Sequence, residues 1–134
     1  MDVTLITLQH HGDARGSLVV MEENKNVPFP VKRVYYLFDT AQSERRGFHA
    51  HKKLQQLAIV VKGTCWFHLD DGKEQQQVFM DNPAQALLLP PMLWHEMYDF
   101  SEDCVLMVLA DDFYDESDYI RNYQEFVSRA SEGF

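Results

Sequence analysis

The sequence predicts an all-β fold that ends in one short helix. Short apolar segments alternate with turn signals through about the first 110 residues, which is the pattern of successive antiparallel strands. The last segment changes to apolar residues at three- and four-residue spacing, which indicates an amphipathic helix. Many short strands followed by a single helix are typical of a jelly-roll or cupin barrel. The length of 134 residues suits one domain.

The predicted strands are rich in apolar, β-branched and aromatic residues, and polar or glycine-containing turns separate them. They cover residues 18–21, 31–38, 57–61, 65–69, 75–80, 86–89, 94–100 and 105–110. The run 57–61 is continuously apolar, so we expect it to be buried on both faces. Gly63 and Gly72 fall in turns between strands, and Gly72 is expected to adopt positive φ.

The terminal helix is predicted over about residues 115–130, with Asp115 or Ser117 as its N-cap. Its apolar stripe comprises Tyr119, Ile120, Tyr123, Phe126 and Val127. We therefore expect a single cupin domain over residues 1–134, in which about residues 1–113 form the barrel and the helix packs against it.

Composition excludes several classes of protein. A formal net charge of -9 argues against a general binder of nucleic acid or of an anionic membrane, because such binders need a basic surface. No apolar stretch approaches the roughly 20 residues that span a bilayer, and the N-terminus lacks the features of a signal peptide. We therefore expect a cytoplasmic protein. Cys65 and Cys104 each lie in an apolar segment and are predicted to be reduced core thiols.

The histidines are the most informative residues. His49 and His51 are two apart, so in a strand both imidazoles point to the same face. His95 follows the break at Pro90 and Pro91 and begins another strand. Three histidines on neighbouring inward-facing strands can meet inside a barrel. Imidazoles there could bind a metal ion, or they could act as general acid and base because their pKa lies near neutrality.

The surrounding residues resemble the two cupin signature motifs, with departures that bear on metal binding. The first motif places a glutamate after its His-x-His pair, where this chain has Gln55. The second motif has glycine and asparagine where Met92 and Asp99 stand. An amide in place of the carboxylate removes a negative charge from any divalent site. Three neutral imidazoles can still hold zinc, so a metal-dependent cupin stays an alternative.

A closer resemblance rests on the heptapeptide Arg-Gly-Phe-His-Ala-His-Lys at residues 46–52, on residues 13–18 and on residues 90–95. Together these segments resemble the TDP-4-keto-6-deoxy-glucose 3,4-ketoisomerases, over about residues 5–113. The resemblance implies an enzyme that uses neither a metal ion nor a cofactor. Its expected product is a precursor of 3-amino-3,6-dideoxy sugars, such as those of lipopolysaccharide O-antigen. It also implies a homodimer with exchanged N-terminal strands and a dTDP-linked keto-deoxysugar in each barrel. His49 matches the family's base, and His51 is a candidate for the other proton transfer.

The substrate's diphosphate and sugar need further partners. Arginine offers a planar fork for phosphate oxygens, and Arg15 and Arg46 are the candidates. One of Tyr35 and Tyr36 must face inward in a regular strand, and Tyr36 is the predicted one. The remaining residues predicted to contact the substrate are Gln55, His95 and Tyr98.

The expected chemistry needs only proton transfers. A base removes the acidified proton at C3 of dTDP-4-keto-6-deoxy-D-glucose, and reprotonation of the enediolate at C4 leaves the ketone at C3. The face that receives the proton gives the galacto or the gluco configuration, and both stay open. The alternatives are a dTDP-sugar 3,5-epimerase, a metal-dependent cupin and a non-catalytic sugar-nucleotide sensor.

Overall fold

The computed structural model describes residues 1–132 of the chain. Its strands are β1 (Leu5–Thr7), β2 (Gln9–Asp13), β3 (Gly16–Val20), β4 (Arg33–Leu37), β5 (Arg46–His51), β6 (Gln56–Lys62), β7 (Cys65–Asp70), β8 (Gln75–Met80), β9 (Gln85–Leu89), β10 (Trp94–Tyr98), β11 (Val105–Ala110) and β12 (Tyr119–Ile120). A 3₁₀ turn spans Glu116–Asp118, and helix α1 spans Tyr123–Ser131.

Two five-stranded antiparallel sheets form the body of the fold, in the orders β1-β9-β6-β11-β4 and β12-β5-β10-β7-β8. Buried side chains of both sheets belong to one apolar core, so the sheets face each other as the two halves of a barrel. The predicted all-β jelly roll of the cupin type is confirmed. Strands β2 and β3 form a separate hairpin, most of whose residues are exposed.

Alternation along the strands decides what faces the barrel interior. In β6, Ala58 and Val60 point into the inner core, whereas Leu57 and Ile59 pack outside it against the N-terminal segment that contains Leu8. Strand β6 is therefore buried on both faces, as the continuous apolar run predicts. Helix α1 covers the outer face of the other sheet through Phe126.

The C-terminal segment differs from the helix predicted over residues 115–130. Tyr119 and Ile120, which the apolar stripe assigned to the helix, form β12 and pair with β5. Asp115 caps only the 3₁₀ turn, whereas Asn122 caps α1 by accepting a hydrogen bond from the Glu125 amide. The apolar residues fit the spacing of a helix as well as that of a short strand, and pairing with β5 decides which of the two forms.

Two further predictions concern single features. Cys65 and Cys104 are buried and free, as expected for core thiols. Gly72 adopts positive φ in the turn between β7 and β8. Within residues 1–132, no helix is both long enough and apolar enough to cross a membrane.

Candidate active site

Three imidazoles meet at one end of the barrel interior, because β5 lies between β10 and β12. His49 of β5 pairs directly with His95 of β10, and His51 pairs directly with Tyr119 of β12. The ring centroids of His49 and His95 are 4.6 Å apart, and those of His49 and His51 are 5.0 Å apart. The two histidines of the His-Ala-His sequence therefore share one inward face, as alternation predicts.

An irregularity in β5 helps to place the first imidazole. His95 pairs with His49 but Glu96 pairs with Gly47, so Phe48 is the extra residue of a β-bulge. Gly47 has φ of 95° and Phe48 has φ of 59°, the left-handed region that a phenylalanine rarely adopts. Bulges of this kind redirect side chains next to active sites.

Each imidazole has one ring nitrogen within hydrogen-bond distance of an acceptor oxygen. The Nδ1 atom of His49 lies 3.0 Å from the Gly47 carbonyl oxygen, and that of His95 lies 3.1 Å from the Leu93 carbonyl oxygen. The Nδ1 atom of His51 lies 3.1 Å from a carboxylate oxygen of Asp118. Since these oxygens only accept hydrogen bonds, Nδ1 carries the hydrogen and Nε2 keeps its lone pair.

Burial keeps these imidazoles neutral. It lowers the pKa of His51 and of His95 to about 3 in each case, and the neighbouring His49 ring acts in the same direction. Burial is also the main reason why the pKa of His49 lies below its usual value, and the Arg121 charge adds to that effect. A neutral imidazole with a bare Nε2 is suited to accept a proton.

Two neighbouring cavities open onto the site. A cleft of about 470 Å³ is lined by His49 and by three arginines, Arg33, Arg46 and Arg121. A cavity of about 330 Å³ is lined by His51 and by four aspartates, and Arg33 and Tyr119 line both spaces. The acidic chain therefore concentrates positive charge beside His49, where an anionic ligand fits best.

The structure corrects the prediction that Tyr36 is the inward-facing tyrosine of β4. Tyr35 packs against the inner core, and its hydroxyl accepts a hydrogen bond of 2.7 Å from the Gln56 amide. Burial raises the pKa of Tyr35 to about 12. Tyr36 lies on the outer face of the edge strand, where 62% of it is exposed, although it still lines the rim of the arginine-lined cleft.

Gln55 also lies elsewhere than predicted. Gln55 is two residues from the outward-facing Leu57, so its side chain lies on the same outer face. Its backbone amide and side-chain amide both donate to Asp111, at 3.0 and 3.4 Å. The buried, inward-facing amide is that of the next residue, Gln56, whose Oε1 atom has no partner within the described residues. A shift of one residue moves a side chain to the other face of a strand.

Tyr98 is the third residue whose expected position is wrong. It is three residues from His95 in β10, so the two side chains point to opposite faces of the strand. The Tyr98 hydroxyl donates to Gln77, and its ring lies 4.2 Å from the guanidinium carbon of Arg45 on the outer surface.

The two predicted phosphate-binding arginines lie in different places. Arg46 lines the cleft beside His49, as a diphosphate ligand would require. Arg15 lies at the turn of the β2–β3 hairpin, where its guanidinium pairs with Asp13 and 90% of the side chain is exposed. Within one chain, the lining of the cleft does not include Arg15.

The structure also brings to the site residues that the sequence prediction did not single out: Tyr35, Gln56, Asp118, Tyr119 and Arg121. Strand alternation could have indicated Gln56 from its spacing to the inward-facing Ala58. Among residues 1–132, no group of three or more His, Cys, Asp and Glu side chains is arranged to hold a metal ion.

Comparison with known proteins assigns the family. The family model described as FdtA: WxcM-like, C-terminal matches residues 1–131. The chain belongs to this FdtA family. A relative from Aneurinibacillus thermoaerophilus named TDP-4-oxo-6-deoxy-alpha-D-glucose-3,4-oxoisomerase is 56% identical over 126 residues, which cover 94% of this chain and 91% of the relative.

Solved structures of sugar 3,4-ketoisomerases are similar to this FdtA-family chain over almost its whole length. QdtA from Thermoanaerobacterium thermosaccharolyticum, in complex with TDP, matches with a TM-score of 0.96 and 39% identity, covering 98% of this chain and 96% of QdtA. The TDP-quinovose 3,4-ketoisomerase WlaRB from Campylobacter jejuni matches with a TM-score of 0.90 and 45% identity, covering 95% of this chain and 98% of WlaRB.

Proposed function

We propose that this member of the FdtA family is a sugar-nucleotide 3,4-ketoisomerase, an intramolecular oxidoreductase that converts dTDP-4-keto-6-deoxy-D-glucose to a dTDP-3-keto-6-deoxy-hexose. The observation that supports this best is the neutral His49 imidazole beside three arginines in the cleft. Its Nδ1–H is held by the Gly47 carbonyl group, so Nε2 is the atom that can take a proton. The relative from Aneurinibacillus thermoaerophilus carries the same activity in its name.

His49 acts as the base in this proposal. Its Nε2 atom takes the proton from C3, and the electron pair of the broken C–H bond forms a double bond between C3 and C4 while O4 becomes an oxyanion. A proton then moves from O3 to O4, C4 receives a proton from the protonated His49 or from water to which His49 returns its proton, and the carbonyl group forms at C3. Protons and electrons balance within the sugar, so the reaction needs no redox cofactor. A positioned base of this kind contributes about 10²–10⁴-fold in rate.

Two other inward-facing groups serve the developing charge and the second transfer. The Tyr35 hydroxyl accepts from the Gln56 amide, which leaves its own hydrogen free to donate to the sugar oxyanion. Its raised pKa keeps that hydrogen in place at neutral pH. His51 has a buried Nε2 without a partner among the described residues, and we assign it to proton movement between the sugar oxygens.

The diphosphate lies against the arginines of the cleft in this proposal. Arg46 is not hydrogen-bonded to a carboxylate within residues 1–132, whereas Arg121 shares its charge with Glu116 at 3.1 Å. Arginine forks bind phosphate oxygens through two parallel hydrogen bonds. His95 was predicted to contact the substrate, but its ring packs against that of His49 and it is 3% exposed, so in this proposal it supports the base instead.

A homodimer with exchanged N-terminal strands accounts for the position of Arg15. An exposed hairpin of two strands is marginally stable by itself, and among residues 1–132 no strand pairs with the outer edge of β4. The outer face of β4 is apolar, since Val34 and Tyr36 are exposed by 53% and 62%, and Phe38, directly after the strand, is exposed by 60%. A partner's hairpin laid along this edge buries these residues and brings the partner's Arg15 next to the cleft that Tyr36 borders.

We extend the proposal to the cellular setting. The 3-keto product is the substrate that an aminotransferase needs to make a 3-amino-3,6-dideoxy sugar. We place the protein in the cytoplasm and in the synthesis of such sugars for lipopolysaccharide O-antigen. Its net charge of -9 agrees with a partner that is a small molecule and not a nucleic acid or a membrane.

The decisive experiment is incubation with dTDP-4-keto-6-deoxy-D-glucose in deuterated water, followed by NMR of the sugar. We expect a ketone at C3, with the C4 configuration read from the coupling constants. The variant His49→Asn should lose turnover while TDP-sugar binding stays within about tenfold, since the change removes a proton acceptor and not a charge. Binding without any turnover by the unmodified protein would contradict the enzyme and leave a sugar-nucleotide sensor.

One observation favours a second candidate, a dTDP-sugar 3,5-epimerase. Enzymes of that class use a histidine paired with an aspartate and a tyrosine acid, and here His51 pairs with Asp118 while the Tyr119 ring lies 4.3 Å from the His51 ring. The same incubation separates the two reactions. Deuterium at C5 with the ketone still at C4 would establish epimerisation, and a C3 ketone without label at C5 excludes it.

A further inference from the structure

The carboxylate of Asp118 is held by three N–H donors at the end of β5. One oxygen accepts from the Lys53 amide at 2.8 Å. The other accepts from the Leu54 amide at 3.2 Å and from the Nδ1 atom of His51 at 3.1 Å. The backbone carbonyl of Asp118 also accepts from the Lys52 amide at 2.9 Å. The carboxylate is therefore fixed in place and has no freedom to turn away from the imidazole.

This arrangement has a consequence for the tautomer of His51. A carboxylate only accepts hydrogen bonds, so a neutral His51 must carry its hydrogen on Nδ1. The Nε2 atom then has only a lone pair, and it is buried without a partner within the described residues. The His51 side chain is 3% exposed and that of Asp118 is 15% exposed, so water does not compete strongly for this bond.

We propose that Asp118 is a positioning residue for the isomerase reaction, because it holds His51 in the Nδ1–H tautomer and so keeps Nε2 bare and able to accept a proton. This inference rests on the proposed function, in which His51 moves a proton between the sugar oxygens. Asp118 is hydrogen-bonded to Nδ1 of His51, on the other side of the ring from Nε2, so it acts through the imidazole and not on the sugar.

The tautomer is measured directly by nitrogen-detected NMR on uniformly ¹⁵N-labelled protein at pH 7.5, with the His51 signals assigned from a His51→Gln variant. We expect a protonated Nδ1 and an unprotonated Nε2. A hydrogen on Nε2 of His51 in the unmodified protein would overturn the proposal. This measurement needs no turnover, so its result stands whether or not the proposed reaction is found.

The matched variants are Asp118→Ala and Asp111→Ala. Both remove a carboxylate from the same aspartate-lined cavity, and they leave two backbone amides and one backbone amide, respectively, without an acceptor. Asp111 bonds to Gln55, and its hydrogen bonds within residues 1–132 include none to an imidazole. For Asp118→Ala we expect the hydrogen of His51 to leave Nδ1 and kcat to fall about 10²-fold or more, with KM within about threefold. Asp111→Ala should leave the His51 tautomer unchanged and kcat within about threefold. Unchanged kcat in Asp118→Ala, or an equal loss in both variants, would refute the positioning role.

Discussion

The three imidazoles share one hydrogen-bonding arrangement, in which an acceptor fixes Nδ1–H and Nε2 faces the interior. Neutrality follows from burial, since a charged imidazole loses its hydration inside the barrel. His49 alone lines the arginine-lined cleft, which distinguishes it from the more deeply buried His51 and His95. At the scale of single residues, the site thus separates one imidazole that faces the arginine-lined cleft from two that are more deeply buried.

This separation predicts the pH dependence of the reaction. The base form of His49 is the neutral form, and its pKa lies below the ordinary value of 6.5. Activity should therefore persist as the pH falls through 6.5 and decline only when the pH passes through the lowered pKa. The acid limb of kcat/KM against pH measures this. Replacing Arg121 by Gln removes a charge that lowers the His49 pKa, so the limb should move to higher pH.

An acid limb at or above pH 6.5 would contradict a buried neutral base. The variant Lys73→Gln is the control, because it removes a positive charge from the turn between β7 and β8, outside the arginine-lined cleft. Its limb should coincide with that of the unmodified protein.

Adjacent tyrosines in β4 provide the second prediction at this scale. Tyr35→Phe removes the inward hydroxyl that we assign to the oxyanion, so kcat should fall about 10²–10³-fold, as for other single oxyanion donors. Tyr36→Phe removes a hydroxyl on the outer face and should leave kcat within about threefold. Steady-state kinetics on both variants, with melting temperatures as a check on folding, provides the comparison. Equal losses in the two variants would remove Tyr35 from the mechanism.

At this scale, the sequence predicted the His49 and His51 face correctly and three neighbours wrongly. The His-Ala-His spacing needs only strand alternation, which is local. The choice between Tyr35 and Tyr36 needs the direction of β4 relative to the core, which no spacing within that strand reveals. Tyr98 is different, because its odd spacing from His95 already placed it on the opposite face.

Among the elements, β5 is the one on which the site depends most. It carries two imidazoles, it contains the bulge at Phe48, and it pairs on one side with the strand of His95 and on the other with β12. The bulge requires Gly47 to approach β10 closely: a Cβ atom there would lie 2.8 Å from the His95 carbonyl oxygen and 3.1 Å from the Glu96 Cα atom.

The variant Gly47→Ala therefore tests whether the bulge in β5 positions His49. The added methyl group meets the β10 backbone, and the positive φ is unfavourable for alanine, so we expect a loss of about 1–3 kcal/mol in the free energy of unfolding. The folded fraction should also lose kcat, because His49 is hydrogen-bonded to Gly47 and paired with His95. Urea unfolding and steady-state kinetics below the melting temperature measure the two effects separately.

Gly63→Ala is the control for this variant. It has positive φ as well, and its Cβ atom would lie 2.9 Å from the Cys104 Cα atom, but it lies in the turn between β6 and β7 at the other end of β6 from Gln56. We expect comparable destabilisation with kcat retained in the folded protein. Retained kcat in Gly47→Ala would show that the bulge does not position the base.

The element that sequence patterns could not resolve is β12. Residues 115–130 satisfy a helical period, and nothing local distinguishes that pattern from a 3₁₀ turn, a two-residue strand and a shorter helix. Pairing with β5 decides the outcome, because Tyr119 pairs with His51, a residue 68 positions earlier in the chain. The consequence is functional, since the misassigned segment contains Asp118 and Tyr119, which contact His51.

At the scale of the whole molecule, the exposed β2–β3 hairpin lies apart from the arginine-lined cleft of its own chain. Arg15 was predicted to bind phosphate, yet in a single chain it lies on the β2–β3 hairpin outside the cleft. The exchanged-strand dimer that we propose would supply Arg15 to the cleft from the partner subunit. Oligomers of identical chains are most often dimers with two-fold symmetry, and each protomer then gives its hairpin and receives one.

Mixing the Arg15→Ala and His49→Asn variants, under conditions in which each alone has little activity, tests this exchange. In a heterodimer of Arg15→Ala and His49→Asn protomers, one site receives both defects and the other site has an intact His49 and an intact partner Arg15. Co-refolding equal amounts makes about half of the dimers mixed, so about a quarter of the normal activity should return. If Arg15 served its own barrel, every site of the mixed dimer would contain one defect and no activity would return. Size-exclusion chromatography with light scattering, on the mixture and on each variant alone, controls for dimers that fail to form; a monomeric unmodified protein with full turnover would contradict the exchange.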